Sequence, residues 1–488
     1  MKKNIKWLLL VSLSFVACNN NDDTTADAPA TAGSADFSKY VALGDSFAAG
    51  YSDGALFKKG QENAYPNILA GQFAQVGGGA FTTPFMADNT GGLLFGGALF
   101  PLDPTQFTPR LVLKGFINAS TPNIGLVSPQ GSQTTEATTV ISGPFSNLGI
   151  PGAKSFHLLA AGYGSSAGNP YFRRFASAPS TTVLADALSQ NPTFFSLLIG
   201  GNDVLGYATG GGVTTTESAS TGNNITPNAT FDGAYNALAS QLAAGGKKGV
   251  VANLPYVSTL PYFTTVPYNP VTLNATQVAQ LNSGFASYNG GLAFAVANLG
   301  LSQAEADRRK VVFVVGKNPV IIVDNYLTNL TAYSIPSYRP ATSADLLVLS
   351  SRTFIGTLVG GNPAAINGVS VPLADKWVLS KDEVAEIQTA TIHYNETIAA
   401  AATANNLAIV DAKAIMDQLV NGGVRFGNYH MAAGYLTGGA FSLDGVHPSA
   451  RGYALIANKF LEAINAKYGA TLKPVDLGNY QTQYPLSL

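Results

Sequence analysis

Ser46 is the first residue in the chain whose position favours covalent chemistry. It stands in Gly44-Asp45-Ser46-Phe47, directly after the β-prone run 39–43 and before a helix-prone segment. On a tight turn between strand and helix, the serine N–H and the helix N-terminus face any oxyanion that develops beside them. Serine is a weak nucleophile at its free pKa and needs an adjacent base. The turn therefore predicts nucleophilic catalysis if a histidine reaches it.

His447 is the base that the sequence offers. The chain has only four histidines, and the other three are His157, His393 and His430. His447 lies in Asp444-Gly445-Val446-His447-Pro448, where Asp444 can curl back to accept the imidazole Nδ1 proton and leave Nε2 as a base. Taken alone, the same turn is more typical of a cap for the helix that follows Pro448.

Two further turns offer hydrogen-bond donors for an oxyanion. Asn202 belongs to Gly200-Gly201-Asn202-Asp203, directly after the apolar run 194–199. At the carboxyl end of a parallel strand, its side-chain amide would face the crevice in which ligands bind. Gly152 ends the run Asn147-Leu148-Gly149-Ile150-Pro151-Gly152 and presents a bare backbone N–H. Turns rich in glycine and asparagine also occur simply because these residues accommodate positive φ angles. Neither donor therefore indicates an oxyanion site by itself.

Taken together, the four fragments resemble the blocks of the GDSL, or SGNH, hydrolase family, in the family's order. Gly44-Asp45-Ser46 resembles the first block, with Phe47 where leucine is usual, and Gly152, 200–203 and 444–448 resemble the other three. The resemblance implies a three-layer, flavodoxin-like α/β fold with a mostly parallel sheet, and a serine ester hydrolase that works through an acyl-enzyme. It assigns Ser46, His447 and Asp444 to a catalytic triad, and Ser46, Gly152 and Asn202 to the oxyanion hole. No cofactor and no metal are expected.

Rival functions remain open at this point. Gly164-Ser165-Ser166-Ala167-Gly168 matches the Gly-x-Ser-x-Gly elbow of α/β-hydrolases, but it lacks a preceding strand and reads as a loop. Two other functions use the same fold. One is a carbohydrate O-acetyl esterase or acyltransferase acting through Ser46, and the other is a non-catalytic lipoprotein that binds glycans or lipids.

The elements that must position these residues alternate between strand and helix. Apolar runs predict strands at 194–199, 249–254, 311–315 and 408–410, and periodic segments predict helices at 64–73, 235–244, 276–299 and 450–468. Ser380 and Glu383 form a capping box that begins a helix running to about Ala404. This alternation predicts an α/β protein with a mostly parallel sheet.

The composition of the chain limits the classes of partner that the protein could bind. Among 488 residues, 27 Lys and Arg against 28 Asp and Glu leave a net charge of −1, which argues against a nucleic-acid partner. The single cysteine excludes an internal disulfide framework and any site built on several cysteines. The resemblance to ester hydrolases then implies a small-molecule, lipid or glycan ester as substrate.

That cysteine, Cys18, indicates export and anchoring. Lys2, Lys3 and Lys6 precede an apolar stretch that is too short to span a bilayer and ends in Phe15-Val16-Ala17-Cys18. The ending resembles a bacterial lipoprotein cleavage box, which implies lipidation of Cys18 and attachment to a membrane. We expect an exported protein of the bacterial cell envelope, held at the outer membrane.

The expected domain plan follows from these landmarks. It comprises a signal peptide at 1–17, a disordered tether at 18–38, a single hydrolase domain at 39–470 and a C-terminal tail at 471–488. Long insertions are expected at about 52–146 and 255–379, and they leave the substrate class open. Within the first, apolar residues at 93–95 and 98–100 suit either a lid over acyl chains or a small core of the insertion itself.

Overall fold

A computed structural model describes residues 29–100, 106–118, 121–126, 133–215 and 222–488. The expected signal peptide and Cys18 lie outside these ranges. Within them, no helix combines the length and the apolar character needed to cross a bilayer.

Five parallel strands form the central sheet. They are β1 (Tyr40–Gly44), β2 (Asn147–Gly149), β3 (Phe194–Leu198), β4 (Lys248–Ala252) and β5 (Ala408–Val410). Their order across the sheet is β2-β1-β3-β4-β5, and every neighbouring pair is parallel. This is the flavodoxin-like order, in which the chain changes direction across the sheet between β1 and β3. The predicted α/β fold is confirmed.

Helices lie on both faces of the sheet and in the second insertion. In chain order they are α1 (Ser46–Ala49), α2 (Lys58–Glu62), α3 (Tyr65–Ala74), α4 (Pro170–Arg173), α5 (Val183–Ser189), α6 (Asn202–Thr209), α7 (Asn228–Ala243), α8 (Pro261–Thr264), α9 (Ala275–Gly284), α10 (Ala286–Asn298), α11 (Gln303–Arg309), α12 (Lys381–Ala404), α13 (Ala412–Val420) and α14 (Ala450–Tyr468). Helices α3 and α14 pack together on one face, and α7 and α12 pack together on the other. Strands β1 and β3, buried along their whole length between these layers, are apolar runs without alternation.

Two predicted helix starts are present. The Ser380 hydroxyl accepts from the Glu383 N–H, and the Glu383 carboxylate accepts from the Ser380 N–H, so the capping box begins α12. Ser449 caps α14 through the Gly452 N–H at 3.0 Å. The second cap holds the end of the 444–448 loop against the helix that follows it.

The first insertion folds around its own small core. Leu93 is fully buried with Leu56 and Met86, and the Phe95 ring lies 4.8 Å from that of Phe100. An antiparallel pair of strands in its described residues joins Leu111–Asn118 to Thr121–Leu126. Of the two interpretations of the apolar residues at 93–100, the arrangement favours the core.

The second insertion contains three two-stranded antiparallel sheets and three separate hydrophobic clusters. The sheets pair Val271–Leu273 with Gly316–Asn318, Ile321–Val323 with Tyr338–Pro340, and Leu346–Leu347 with Val378–Leu379. A hairpin, Val424–Phe426 with Tyr429–Met431, lies nearer the C-terminus.

The predicted strand at 311–315 is wrong. The amide of Asn289 makes both backbone hydrogen bonds of Val311, and that of Asn282 makes both of Phe313. Side chains thus occupy the groups that a neighbouring strand would have paired. The expected helix over 276–299 is also divided, into α9 and α10, at Phe285.

The ends of the chain pack more closely than the domain plan expected. The tether was expected to reach residue 38, yet the Phe37 ring is 2% exposed and stacks on Phe73 at 4.0 Å. The Ser34 N–H also donates to the Tyr468 carbonyl at 2.8 Å. In the tail, Leu477 and Tyr484 are buried. Apolar side chains at both ends therefore extend the folded body beyond 39–470.

Replacing Phe37 by Ala tests this correction. Loss of a fully packed aromatic ring should lower the free energy of unfolding by about 3–5 kcal/mol, because a cavity remains beside Phe73. The melting temperature measures the effect. Phe294→Ala, which removes a ring that is 51% exposed, is the control and should change it little. If the melting temperature of Phe37→Ala equalled that of the control, residue 37 would belong to a tether.

Candidate active site

Ser46 lies at the carboxyl end of β1, as the first residue of α1. The Asp45 carboxylate caps the helix by accepting the Phe47 N–H at 2.9 Å. Gly44 permits the turn, since a Cβ there would lie 2.4 Å from the Leu198 carbonyl oxygen of the adjacent strand. The serine is 6% exposed, so it is held by the fold rather than by a mobile loop.

His447 joins Ser46 to Asp444. Its Nε2 atom lies 2.9 Å from the Ser46 Oγ, and its Nδ1 atom lies 2.9 Å from Oδ2 of Asp444. The imidazole is flanked by the rings of Tyr51, at 4.6 Å, and Phe47, at 5.6 Å. Three residues that are up to 401 positions apart are therefore connected in one line of hydrogen bonds, which we call the Ser–His–Asp trio.

Backbone and hydroxyl donors hold the Asp444 carboxylate. Its Oδ1 accepts the N–H groups of Val446 and His447, both at 2.8 Å, and the Ser442 hydroxyl at 3.1 Å. Its Oδ2 accepts the Gly54 N–H at 2.8 Å. Burial opposes the charged form, but the neighbouring His447 and these donors outweigh it and lower the pKa of Asp444. The residue is thus ionised when it faces the imidazole.

The turn Ser52-Asp53-Gly54, which we call the clamp turn, holds this loop from the other side. The Asp53 N–H donates to the Ser442 Oγ, and the Asp53 Oδ1 accepts the Leu443 N–H, both at 2.9 Å. The Ser52 hydroxyl donates to the Pro448 carbonyl at 3.0 Å. Sequence reasoning missed this turn, although an Asp-Gly pair with positive φ at both residues (52° and 76°) is a recognised turn signal.

The oxyanion candidates gather at the same edge of the sheet. Gly44 pairs with Gly149 of β2 on one side and with Leu198 of β3 on the other, so the turns after all three strands start level with each other. Gly152, after β2, is exposed and has a φ of 81°. The Asn202 amide donates one proton to the Ala153 carbonyl at 3.0 Å. An amide nitrogen carries two protons, so the second is left for a ligand.

The other histidines serve local structure. His393 is 3.0 Å from Asp232, His430 is 2.7 Å from the Gly422 carbonyl, and the buried His157 stacks on Tyr163 at 4.7 Å. Ser166, in the rival motif, is exposed on a turn with no strand before it. Within the described ranges, no three His, Cys, Asp or Glu side chains converge as metal ligands.

Two further buried acids lie at this edge of the sheet: Asp45, next to Ser46, and Asp203, next to Asn202. Burial raises the pKa of Asp45 to about 7 and that of Asp203 to about 6. Asp203 accepts both the N–H and the hydroxyl of Ser155 at 2.8 Å, which ties the turn after β3 to the segment after β2. Asp203 thus fixes the turn that carries Asn202 relative to the segment that follows Gly152, while Asp45 holds the turn that carries Ser46.

An apolar cavity of about 130 Å³ lies next to this edge. Phe47, beside the serine, and Val446, beside the histidine, line it together with the ends of β3, β4 and β5 and the inner faces of α13 and α14. Asp45 and Lys459 are the charged residues on its wall. Such a cavity favours an uncharged, apolar group.

Comparisons with known proteins add little to this geometry. No protein-family model matches the chain, and no curated protein matches it. Among solved structures, it is similar to LAE5, an α/β hydrolase enzyme from the metagenome of Lake Arreo, Spain, with 11% identity, a TM-score of 0.32, and coverage of 88% of this chain and 96% of that one. It is also similar to an extracellular lipase from Streptomyces rimosus, with 13% identity, a TM-score of 0.29, and coverage of 88% and 98%. Likeness at this level carries no functional argument.

The clamp turn makes a testable contribution to stability. Burial raises the pKa of Asp53 to about 7, with help from the charge of Asp444 and against the Leu443 N–H and Arg110. The folded protein then binds more protons than the unfolded chain between about pH 4 and 7, so this group lowers stability as the pH rises through that window. Asp53→Asn removes the titration. We expect the wild-type melting temperature to fall more between pH 4 and pH 8 than that of the variant.

Asp307→Asn, at an exposed position on α11, is the matched control and should follow the wild-type profile. Parallel profiles for wild type and Asp53→Asn would contradict the raised pKa.

Proposed function

We propose that the chain is a serine ester hydrolase of the GDSL, or SGNH, type. The observation that carries the proposal is the pair of 2.9 Å contacts that His447 makes, one with the Ser46 Oγ and one with Asp444. Nucleophile, base and orienting carboxylate in this order are the arrangement that acyl transfer requires.

The first half-reaction begins with the Ser46 Oγ attacking the ester carbonyl carbon while His447 Nε2 takes the hydroxyl proton. Asp444, as an anion, accepts the Nδ1 proton and stabilises the imidazolium that forms. The tetrahedral intermediate then breaks its bond to the leaving alkoxide, which takes the proton from His447. In the second half-reaction, water attacks the acyl-serine, His447 takes its proton, and the carboxylic acid leaves as the proton returns to Ser46.

The oxyanion of each tetrahedral intermediate is held by three donors. These are the N–H groups of Ser46 and Gly152 and the second amide proton of Asn202. The first two need no side chain, and the third comes from an amide that the Ala153 carbonyl already orients. Removing one such donor typically lowers kcat by about 10²–10³-fold.

The apolar cavity supports an ester with a hydrocarbon acyl group. Its volume of about 130 Å³ is close to the ~150 Å³ of an apolar cavity that holds benzene, so it suits an acyl chain of about four to six carbons. Phe47 and Val446 place the cavity beside both the nucleophile and the base.

The cellular setting is part of the proposal. Cys18 follows the apolar N-terminal stretch directly and is the one cysteine in the sequence. A lipid on Cys18 would hold the enzyme at the outer membrane of a bacterial cell envelope, with the folded body beginning near residue 31.

Ser46→Ala is the decisive variant. Without the nucleophile, hydrolysis of a p-nitrophenyl ester should fall at least about 10⁴-fold, and a fluorophosphonate probe that labels the wild-type serine should no longer react. Ser166→Ala, in the rival motif, is the matched control and should keep both properties. If the wild type neither hydrolyses esters nor takes the probe, the fold serves binding alone.

Ile415→Trp tests the acyl cavity. Ile415 lies on α13 and lines the cavity, so a larger ring there should exclude long acyl chains. We expect kcat/KM for a p-nitrophenyl hexanoate to fall about tenfold or more, while that for the acetate changes little. Val420→Trp, on the same helix but 45% exposed, should leave the chain-length profile unchanged. An equal loss on both esters would place the acyl group elsewhere.

A further inference from the structure

A second, larger cleft lies in the insertion that follows β4. Helices α9 and α10 form one wall, and the segments 333–338 and 363–370 form the other. The volume is about 910 Å³, at the upper end of the range for ligand clefts. None of its lining residues belongs to the Ser–His–Asp trio, the clamp turn or the oxyanion candidates.

The lining is mostly apolar, is interspersed with uncharged polar groups, and carries no charge. No Asp, Glu, Lys, Arg or His is among its residues, and it combines aromatic rings with amides and hydroxyls. In the part of the chain that the structure describes, the side chains of Gln280, Ser287, Tyr333 and Ser334 make no hydrogen bond. These groups offer both donors and acceptors to a ligand.

Aromatic rings provide flat faces within the same cleft. The Tyr333 ring is 56% exposed, so its face is accessible to a ligand. Tyr288 and Tyr338 lie deeper, where the Tyr288 hydroxyl donates to the Tyr338 carbonyl at 2.6 Å. This hydrogen bond joins the two walls of the cleft at its buried end, while the Tyr333 ring is exposed to solvent.

Gly284, the last residue of α9, leaves open space on one wall of the cleft. A Cβ there would meet no atom within 4 Å, whereas a Cβ at Gly291 would lie 3.1 Å from Ile335. Glycine is a poor helix former. The cleft thus retains space at Gly284, where a side chain would stabilise the helix, and Gly291 lets α10 lie close to Ile335.

We propose that this cleft binds a neutral oligosaccharide. An ionic ligand would find no countercharge in the lining, and an acyl chain that covered the exposed amides and hydroxyls would remove them from water without pairing them. A neutral sugar presents hydroxyls that exchange hydrogen bonds with those groups and C–H faces that pack on tyrosine rings. The site goes beyond the proposed esterase and does not depend on it.

The insertion is joined to the loop that carries Asp444 and His447. The Tyr262 N–H, at the start of the insertion, donates to the Gly445 carbonyl at 2.9 Å, between Asp444 and His447. A glycan bound in the cleft is therefore held by the same folded body as Ser46.

The test is binding to an array of neutral, unsubstituted oligosaccharides of four to six gluco-, manno-, galacto- or xylo-type sugars. The strongest binder is then titrated calorimetrically with the full chain. Tyr333→Ala, which removes the exposed ring, and Gly284→Leu, which fills the open space, should each weaken binding tenfold or more. The matched controls are Phe294→Ala, an exposed ring outside the cleft, and Gly290→Leu, a helical glycine with equally open surroundings, and both should bind as wild type does.

Ser46→Ala should bind the sugar with unchanged affinity, so failure of the esterase proposal and failure of this one are separate results. Absence of binding to every sugar on the array at millimolar concentration would overturn the proposal. The proposal would also be overturned by an affinity that Tyr333→Ala and Gly284→Leu leave unchanged. It would be overturned equally if the cleft bound only peptides or a second copy of the chain.

Discussion

The largely buried Asp444 carboxylate is the constraint on which the rest of the site depends. An anion that is only 14% exposed is costly unless donors surround it. Here the donors come from the clamp turn, near the start of the domain, and from the loop just before α14, about 390 residues later. The charge therefore ties the first strand region to the last helix. The same contacts orient His447 toward Ser46.

Strand register provides the second half of the arrangement. Because Gly44, Gly149 and Leu198 are level in the sheet, the turns that follow β1, β2 and β3 leave it at one edge and at one height. Glycines at those ends permit the close approach of neighbouring backbones, as the 2.4 Å clash of a Cβ at Gly44 shows. Buried Asp203 then joins two of the turns through Ser155. The proposed oxyanion site therefore rests on backbone positions that the sheet itself determines.

The long second insertion is attached to this framework by a buried ion network. Arg339 contacts Asp324 at 2.5 Å and Asp345 at 2.7 Å, and Asp345 also accepts the Lys381 N–H at the start of α12. Full pairing offsets the desolvation of the guanidinium, and loss of one partner would leave a buried charge uncompensated. The chain has few charged residues, and Arg339, Asp324 and Asp345 lie where the insertion meets the helical layer. The surface of its large cleft is left neutral.

Local patterns in the sequence determined the element types and the candidate residues. The buried runs of β3, β4 and β5, the capping box of α12 and the full extent of α14 follow from apolar periodicity and cap residues, which act over a few positions. The strand expected at 311–315 failed because Asn282 and Asn289, far along the chain, took its backbone groups. The packing of Phe37 on Phe73 likewise depends on a partner that no local pattern reveals.

By itself, therefore, the sequence determined that Ser46, His447, Asp444, Gly152 and Asn202 stand at element boundaries suited to acyl transfer. Only the tertiary structure decided that the imidazole lies within hydrogen-bond distance of both partners, that the clamp turn secures the loop, and that two cavities of different chemistry accompany the site. Propensities and caps act between neighbours in the chain. Distances across 400 residues depend on sheet register and on the packing of the layers around it.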